Sequence, residues 1–328
     1  MTHRSHYCAK YRADKMFYWL IPYFGYYIND TSFYYKLAYN LTEPAKLWKN
    51  GPVHTFEAEI KTIIVRETIE KYHSDITMLF ECRPIATSFI KCQVENATLD
   101  NYEMIDNNET RAEREKSVWR DEFGSFDFHI EFDKTGIKNI TFSEPRGYFR
   151  EMIIRWIFIN LNVGIDLTDK NFGQYDAVDR SLYGDCPTNF NIKKLAKRVE
   201  DKEFLVKRDD AVRELTIVPF LDEFSDDSTI LIEKDRKMMK CLNKKSYMFG
   251  SDELTAKDRK EGFTRESNIA DLRSEIYVGR NRFNSYSEHS GTFRAGIKSE
   301  NTKNVNSGIV VGKASEKIRL TLLSIRPD

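Results

Sequence analysis

One segment of the chain constrains its fold more than any other, because residues 148–163 (YFREMIIRWIFINLNV) are apolar almost throughout. Only Arg150, Glu151 and Arg155 carry charge, and Gly164 follows as a helix stop signal. An α-helix that is apolar on nearly every side is buried, since none of its faces gains from contact with water. The Ile and Phe content also suits a buried strand, but the segment is long for a strand without a turn. We therefore predict a buried helix, whose inward residues are Phe149, Ile153, Trp156, Ile157 and Leu161.

The segments on both sides of this helix alternate between apolar and polar residues, as strands with one buried face do. The clearest are residues 126–132 and 137–142, which predict a β-hairpin around the turn at residues 133–136 (DKTG). Residues 55–65 and 75–82 show the same alternation. Shorter strands are predicted at residues 246–250, 271–278, 292–298, 307–311 and 316–324. The pattern indicates an all-β-dominated fold with one central helix, an antiparallel β-barrel wrapped around that helix.

The N-terminal residues 1–28 are a possible leader or signal segment. Their apolar run, residues 16–27 (MFYWLIPYFGYY), follows several basic residues but lacks the small-residue pattern of a cleavage site. A buried first strand and a membrane anchor are the alternatives, and the run is too short to span a bilayer. We treat residues 29–328 as one domain, in which the charge-rich residues 193–236 are predicted to form a solvated loop.

Charge and motifs limit the possible functions. Lys plus Arg and Asp plus Glu both number 51, so bulk charge gives no reason to expect nucleic acid or an anionic membrane as an obligatory partner, although it does not exclude local basic patches. The chain has no P-loop, GxSxG or GxGxxG motif and no zinc-type Cys/His spacing. His129, between Asp127 and Glu131, is a weak metal-site candidate, but a solvated strand face explains the same pattern. We predict a protein that is not an enzyme and needs no metal or cofactor, with lipid as a possible ligand.

Cysteines and glycosylation motifs bear on the compartment. The five cysteines are Cys8, Cys82, Cys92, Cys186 and Cys241, and their odd number does not decide between reducing and oxidising surroundings. Bridges Cys82–Cys92, across Pro84, and Cys186–Cys241 are both conceivable, and the residues alone leave either pairing open. Asn-x-Ser/Thr sequons lie at Asn29, Asn40, Asn96, Asn108 and Asn139. These sequons favour a secreted glycoprotein.

Two neighbouring stretches resemble a known family. Residues 127–142 (DFHIEFDKTGIKNITF) and 150–167 (REMIIRWIFINLNVGIDL) are similar to a hairpin and helix in the N-terminal barrel of insect vitellogenins, which are large lipid transfer proteins. The most specific match is residues 160–164 (NLNVG). Residues 181–186 (SLYGDC) and 240–250, which contain KC and YMFG, resemble the family segments that carry a pair of cysteines.

The resemblance implies a β-barrel around a buried helix, as the strand and helix pattern does, and it implies that Cys186 pairs with Cys241. In this family the barrel contacts a receptor or a companion chain, and a separate cavity holds lipid. We therefore expect an extracellular, non-enzymatic lipid-transport module that contacts a protein receptor or companion chain and lacks the main lipid cavity, because the helix occupies its interior. The alternative is a lipid carrier or yolk nutrient protein that binds lipid itself or with a second chain.

Overall fold

The structure is a computed structural model that describes residues 53–66, 71–86, 89–105, 110–118, 127–133, 135–144, 148–166, 172–181, 183–195, 229–244, 249, 263–279, 282–297 and 309–326. The possible leader at residues 1–28 and Cys8 lie outside these residues. The same holds for the sequons at Asn29, Asn40 and Asn108.

Strands make up nearly all of the described secondary structure. In chain order they are β1 (Val53–Arg66), β2 (Lys71–Ala86), β3 (Phe89–Ile105), β4 (Thr110–Val118), β5 (Asp127–Asp133), β6 (Gly136–Phe142), β7 (Gly173–Ser181), β8 (Gly184–Leu195), β9 (Thr229–Arg236), β10 (Phe263–Gly279), β11 (Arg282–Ile297) and β12 (Ile309–Arg326). The described residues also contain one α-helix, α1 (Tyr148–Phe158), and two 3₁₀ turns, Ile159–Leu161 and Met238–Lys240.

All twelve strands belong to one sheet, and all their pairings are antiparallel. The strand order is β6-β5-β3-β2-β1-β12-β11-β10-β9-β8-β7, and β4 pairs with the far end of β3. The sheet is nearly closed into a barrel, with β6 and β7 as its two edge strands. The helix and the 3₁₀ turn after it contact β6, β10, β11 and β12, which are strands from both halves of the sheet. The predicted fold class is therefore confirmed.

The helix lies inside the barrel. From Met152 to Ile165 every residue is buried except Arg155, which is half-buried. The Phe158 ring packs edge-on against Phe80 and Phe128, with ring centroids 5.0 and 5.1 Å away. Such edge-to-face contacts add to the gain from burying aromatic surface, and they fix the helix against β2 and β5.

The side chains predicted to face inward from this helix are nearly all described. Ile153, Trp156, Ile157 and Leu161 are 1%, 5%, 0% and 7% exposed. Phe149 belongs to the same helix, but its side chain lies outside the described part of the chain.

The hairpin predicted from residues 126–142 is the pair β5 and β6. Buried and half-buried residues alternate along β5, as its sequence predicts. Its turn is closed by Asp133, whose Oδ1 accepts hydrogen bonds from the Thr135 backbone N–H at 2.7 Å and its hydroxyl at 2.6 Å. Gly136 follows with φ +129°, a conformation that favours glycine.

The structure differs from the sequence predictions at several element boundaries. The helix predicted to residue 163 ends as an α-helix at Phe158 and as a 3₁₀ turn at Leu161. The Asn160 side chain ends it, because its Nδ2 donates to the Trp156 and Ile157 carbonyls at 3.2 and 3.1 Å. The two strands predicted at 307–311 and 316–324 are parts of one strand, β12. Of residues 246–250, only Phe249 is described, and it is buried but not in a strand.

A further difference concerns the charged loop predicted at about residues 193–236. Its first three residues belong to β8 and its last eight, residues 229–236, form β9, while residues 196–228 lie outside the described chain. The prediction assumed that a charge-rich stretch is solvated. Lys234 and Arg236 of β9 instead point into the barrel and are 3% and 5% exposed. What these two cations contact defines the candidate site.

Candidate functional site

The metal site considered at His129 has a simpler explanation. Its neighbours on the strand are each paired to a lysine: Asp127 to Lys91 at 2.5 Å and Glu131 to Lys138 at 2.6 Å. Within the described residues, no three His, Cys, Asp or Glu side chains group as metal ligands would. The alternation of charged residues around His129 therefore belongs to a solvated strand face.

The seam between the edge strands β6 and β7 is closed by the segment that follows the helix. The Asn162 Oδ1 accepts a hydrogen bond from the Ile137 backbone N–H of β6 at 3.0 Å, and its Nδ2 donates to the Arg180 carbonyl of β7 at 3.2 Å. Two residues on, the Gly164 N–H donates to the Thr135 carbonyl at 2.7 Å. One carboxamide thus satisfies backbone groups on both edges, which would otherwise present unpaired donors and acceptors.

Two glycines allow this close approach. A Cβ on Gly136 would lie 2.1 Å from Asn162 Oδ1, and a Cβ on Gly164 would lie 2.1 Å from Asp179 Oδ1. Gly164 also has φ +89°, which an L-residue adopts only at a cost. The glycines in the turn DKTG and in the segment NLNVG are therefore explained by the seam that they help to form.

A buried group of charges supports the seam from inside the barrel. The Asp179 carboxylate of β7 accepts a hydrogen bond from Arg236 Nε at 2.6 Å and lies 3.6 Å from Lys234 Nζ. Lys234 Nζ also donates to the Asn162 and Val163 carbonyls, the latter at 3.3 Å. Each of the three charged side chains is at most 5% exposed. We call Asp179, Lys234, Arg236 and Asn162 the seam cluster.

Burial and neighbouring charges set the protonation of this cluster. Burial lowers the pKa of Lys234 to about 7, against the opposing attraction of Asp179. For Asp179, burial alone would raise the pKa, but the charges of Arg236 and Lys234 outweigh it and leave the pKa below its ordinary value. Asp179 therefore stays ionised beside Arg236. Lys234 is the member of the cluster that loses a proton most readily.

A small cavity beside the helix is lined by Ile159, Tyr183, Lys234 and Leu272, among others. The cavity volume is about 10 Å³, which suffices for about one water molecule. Pockets that enclose small-molecule ligands measure roughly 300–1,000 Å³. The cavity therefore suits a solvent molecule among polar groups and does not suit a lipid.

A second buried polar group joins β1, β11 and β12. Glu316 accepts a hydrogen bond from the Thr62 hydroxyl at 2.5 Å and lies 2.9 Å from His289 Nε2. The rings of Tyr183 and Phe249 pack over the His289 ring, with centroids 6.0 and 5.6 Å away. Because all three strands contribute, this group fixes their register. No reacting atom or open cleft accompanies it in the described residues.

Little in the sequence indicates these two buried groups. Asp179, Lys234, His289 and Glu316 each stand alone on the inner face of a strand, and no short motif connects them. Only the period-two alternation could have indicated them, since a charged residue at an inward position needs a buried partner.

The structure contains two disulfides. Cys186, in β8, is joined to Cys241, which follows the 3₁₀ turn Met238–Lys240. Cys82 and Cys92 are joined directly across the β2–β3 pair, where the two residues lie opposite one another. Both bridges lie in the buried core. No helix among the described residues has the length and apolar content needed to cross a bilayer.

An antiparallel sheet nearly closed around one buried helix defines the class of this protein, a helix-filled β-barrel. No protein-family profile and no curated protein matches the chain. Among solved structures it is similar to lipovitellin, in a structure concerned with lipid–protein interactions, with a TM-score of 0.52 at 11% identity over 84% of this chain. The chain spans 25% of that lipovitellin chain.

At this identity the likeness shows the fold, and the expected vitellogenin-type barrel is confirmed at that level. An acetoacetate decarboxylase-like enzyme from Sphingomonas wittichii RW1 aligns with a TM-score of 0.14 and 6% identity, covering 88% of this chain and 97% of that chain. A superposition that poor carries no argument about fold or activity.

Proposed function

We propose that this chain is a non-enzymatic barrel module of the lipid-transport kind, which contacts a protein receptor or a companion chain and does not carry lipid in its interior. The observation that supports this proposal is the filled interior. Side chains of α1 occupy the described part of the barrel, and the cavity beside the helix has space for about one water. A lipid there would have to displace the helix.

The relation to lipovitellin supports a role within a larger assembly. The chain corresponds in fold to a quarter of a protein whose structure concerns lipid–protein interactions. If the remaining part of such a protein holds the lipid, a barrel with a filled interior is suited to contacts with other proteins. The same relation favours a second candidate function, a lipid carrier or yolk nutrient protein that binds lipid together with a second chain.

The proposal includes an extracellular location. Two disulfides are typical of an oxidising compartment. The sequon residues Asn96 and Asn139 are both exposed on strands, where a glycan would meet no packed neighbour. Peptide mapping after enzymatic deglycosylation should find both asparagines converted to aspartate in protein secreted by eukaryotic cells. If the chain stays inside the cell without glycans, its proposed location is wrong.

Native mass spectrometry combined with lipid extraction tests the filled interior. The secreted full chain should have the mass of the protein and its glycans, and should yield no stoichiometric lipid. Lipovitellin, purified and extracted in the same way, serves as the lipid-bearing control. Several lipids per chain would overturn the proposal in favour of the carrier function.

Chemical crosslinking in the native extracellular fluid tests the partner. We expect one protein to be crosslinked in a constant ratio to the chain, through exposed residues of the barrel. A chain that remains monomeric in that fluid would contradict an interaction module. A particle in which this chain and a second chain together hold lipid would support the carrier function instead.

A further inference from the structure

The surface near the Cys186–Cys241 disulfide carries unusually exposed apolar side chains. Met239 is 76% exposed, Leu242 69% and Val178 52%, and these are the three most exposed large apolar residues in the described chain. Single exposed apolar residues are common on protein surfaces, but a group of them marks a site of contact with an apolar partner.

Backbone pairing places these three residues on the same side of the sheet near β8, with Pro187 and Asp185 of β8 between Val178 and Leu242. Val178 of β7 lies opposite Pro187 of β8, and the Pro187 carbonyl accepts a hydrogen bond from the Lys237 N–H at 2.9 Å. One row further along the same strands, Asp185 of β8 pairs with Leu242 through two backbone hydrogen bonds of 2.9 Å. The turn Met238–Lys240 connects these two rows, so Met239 stands between them.

The turn that carries Met239 and Leu242 is firmly held. The disulfide joins Cys241 to β8, and Met238 is 4% exposed. The backbone of the turn is thus anchored to β8 on both sides of Met239. The two apolar side chains are presented to the outside by a rigid support, which lowers the entropy lost on binding.

Three lysines are close in sequence to Met239 and Leu242. Lys237, Lys240 and Lys244 are all exposed. In the described part of the chain, no carboxylate lies within ion-pair distance of these three lysines. Asp185 accepts a hydrogen bond from Asn243 Nδ2 at 2.8 Å and lies across the strand pair from the cation Arg180.

The disulfide patch consists of Val178, Lys237, Met239, Lys240, Leu242 and Lys244. On one side it is bounded by acidic residues of the next row, Asp176 and Asp235, which are exposed on β7 and β9. Between Val178 and Leu242 lie Arg180 and Asp185, so with them the patch holds four cations and one carboxylate and is locally positive.

We propose that the disulfide patch docks onto a phospholipid surface with anionic headgroups. Met239 and Leu242 would enter the boundary between headgroups and acyl chains, and the three lysines would contact phosphate and carboxylate groups above it. The composition favours lipid over a protein partner, because protein interfaces are depleted in lysine and enriched in aromatic residues, and the patch has three lysines and no aromatic residue. This inference goes beyond the proposed function and does not depend on it.

Vesicle flotation tests the electrostatic part. The oxidised full chain should float with vesicles of phosphatidylcholine and phosphatidylserine, should bind pure phosphatidylcholine much more weakly, and should dissociate as salt is added. Each lysine near an anionic surface changes the partition coefficient about fivefold, so the triple variant Lys237→Gln, Lys240→Gln, Lys244→Gln should bind roughly 100-fold more weakly. A control triple makes the same charge change on exposed lysines of β1 and β12, namely Lys61→Gln, Lys313→Gln and Lys317→Gln.

A double variant tests the apolar part. Met239→Ser with Leu242→Ser should reduce the partition coefficient about tenfold or more, because both side chains lose apolar area buried in the lipid. Ile63→Thr with Ile85→Thr is the control, since these residues are 37% and 49% exposed and lie on strands away from the patch. Near-ultraviolet circular dichroism of each variant checks that its fold is retained.

Three outcomes would overturn the inference. The first is that the wild-type chain fails to float with anionic vesicles. The second is that the control variants lose as much binding as the patch variants, or that Met239→Ser with Leu242→Ser binds as wild type does. The third is that the patch variants lose binding to an acidic soluble protein but keep their binding to vesicles, which would assign the patch to a protein partner.

Discussion

Replacing Asp179 by asparagine tests whether buried charge holds the seam of the barrel. Asp179 is 0% exposed, and its carboxylate contacts Arg236 at 2.6 Å and Lys234 at 3.6 Å. Asparagine keeps nearly the same size but removes the negative charge. The Asp179→Asn variant therefore leaves two buried cations without their counter-ion, next to the segment that joins the two edge strands.

The expected loss of stability depends on whether each of the two cations can lose its proton. Removing one partner of a buried ion pair costs about 3–5 kcal/mol. Lys234 can escape part of this cost by losing its proton, because burial already lowers its pKa to about 7. Arg236 has no such escape, since a guanidinium keeps its charge. We therefore expect the free energy of unfolding to fall by about 3 kcal/mol at neutral pH, the lower end of that range.

Urea unfolding followed by tryptophan fluorescence measures this change. With a slope of about 3 kcal/mol per molar urea, the midpoint should fall by about 1 M. Asp176→Asn is the matched control, because Asp176 lies on the same strand but is exposed and is hydrogen-bonded only to the Asn189 side chain among described residues. Its effect should stay within about 0.5 kcal/mol.

The pH dependence of the stability difference shows whether the variant is destabilised by the lost charge or by altered packing. The pKa of Asp179 in the folded protein is below its ordinary value, because the attraction of Arg236 and Lys234 outweighs the effect of burial. Such a carboxylate stabilises the fold above its unfolded pKa of about 3.9, and this stabilisation disappears as pH falls through the lower folded value. The difference between wild type and Asp179→Asn should thus be full at about pH 6 and shrink below about pH 4. A difference that is independent of pH, or one equalled by Asp176→Asn, would refute the reasoning.

Three further predictions address the core, the disulfide and the seam glycine. Trp156→Asp should unfold the domain, because it places an unpaired charge in the core; a variant with the thermal stability of wild type would mean that the helix is not enclosed. Mass mapping without reduction should link Cys186 to Cys241, whereas free thiols at both would argue against the structure and against secretion. Gly164→Ala should lose about 2 kcal/mol or more, because φ is +89° and the new Cβ would meet Asp179 Oδ1. An unchanged thermal midpoint would contradict that close contact.

The parts of the fold that the sequence predicts are those with a local, repeated signal. The β5–β6 hairpin combines period-two alternation with a turn that ends in Gly136. The helix is predicted because residues 148–163 contain more apolar residues than one face of a helix can hold. In both cases the pattern repeats within a few residues, so tertiary contacts need not be known in advance.

The seam cluster was missed because its signal is not local. Lys234 and Arg236 lie in a charge-rich stretch, and charge usually indicates a solvated surface. Their partner Asp179 lies 55 or more residues away in sequence, on a strand that no prediction covered. Only the pairing of β7, β8 and β9 brings the three together, and that pairing is a property of the closed sheet.

The helix boundary was misplaced for a related reason. Helical periodicity continues to Val163, but Asn160 and Asn162 use their side chains on backbone groups, one at the helix end and one at the seam. An asparagine that bonds to backbone competes with the helix, and sequence alone does not say which bond it makes. The segment 160–164 that most resembles vitellogenins is therefore also the segment where helix, seam and charged cluster meet.

The contacts made by residues 160–164 limit where lipid can bind. Asn162 joins both edge strands, and its carbonyl accepts a hydrogen bond from Lys234, so the exit of the helix and the closure of the sheet depend on the same residue. A lipid entering the described interior would have to displace the helix, and displacement would break both edge contacts and remove the two carbonyls that accept hydrogen bonds from Lys234. It would also expose the buried apolar side chains of α1 to water, which offsets the gain from burying an acyl chain in their place. Lipid contact by this barrel should therefore occur on its outer surface, where Met239 and Leu242 stand exposed among lysines.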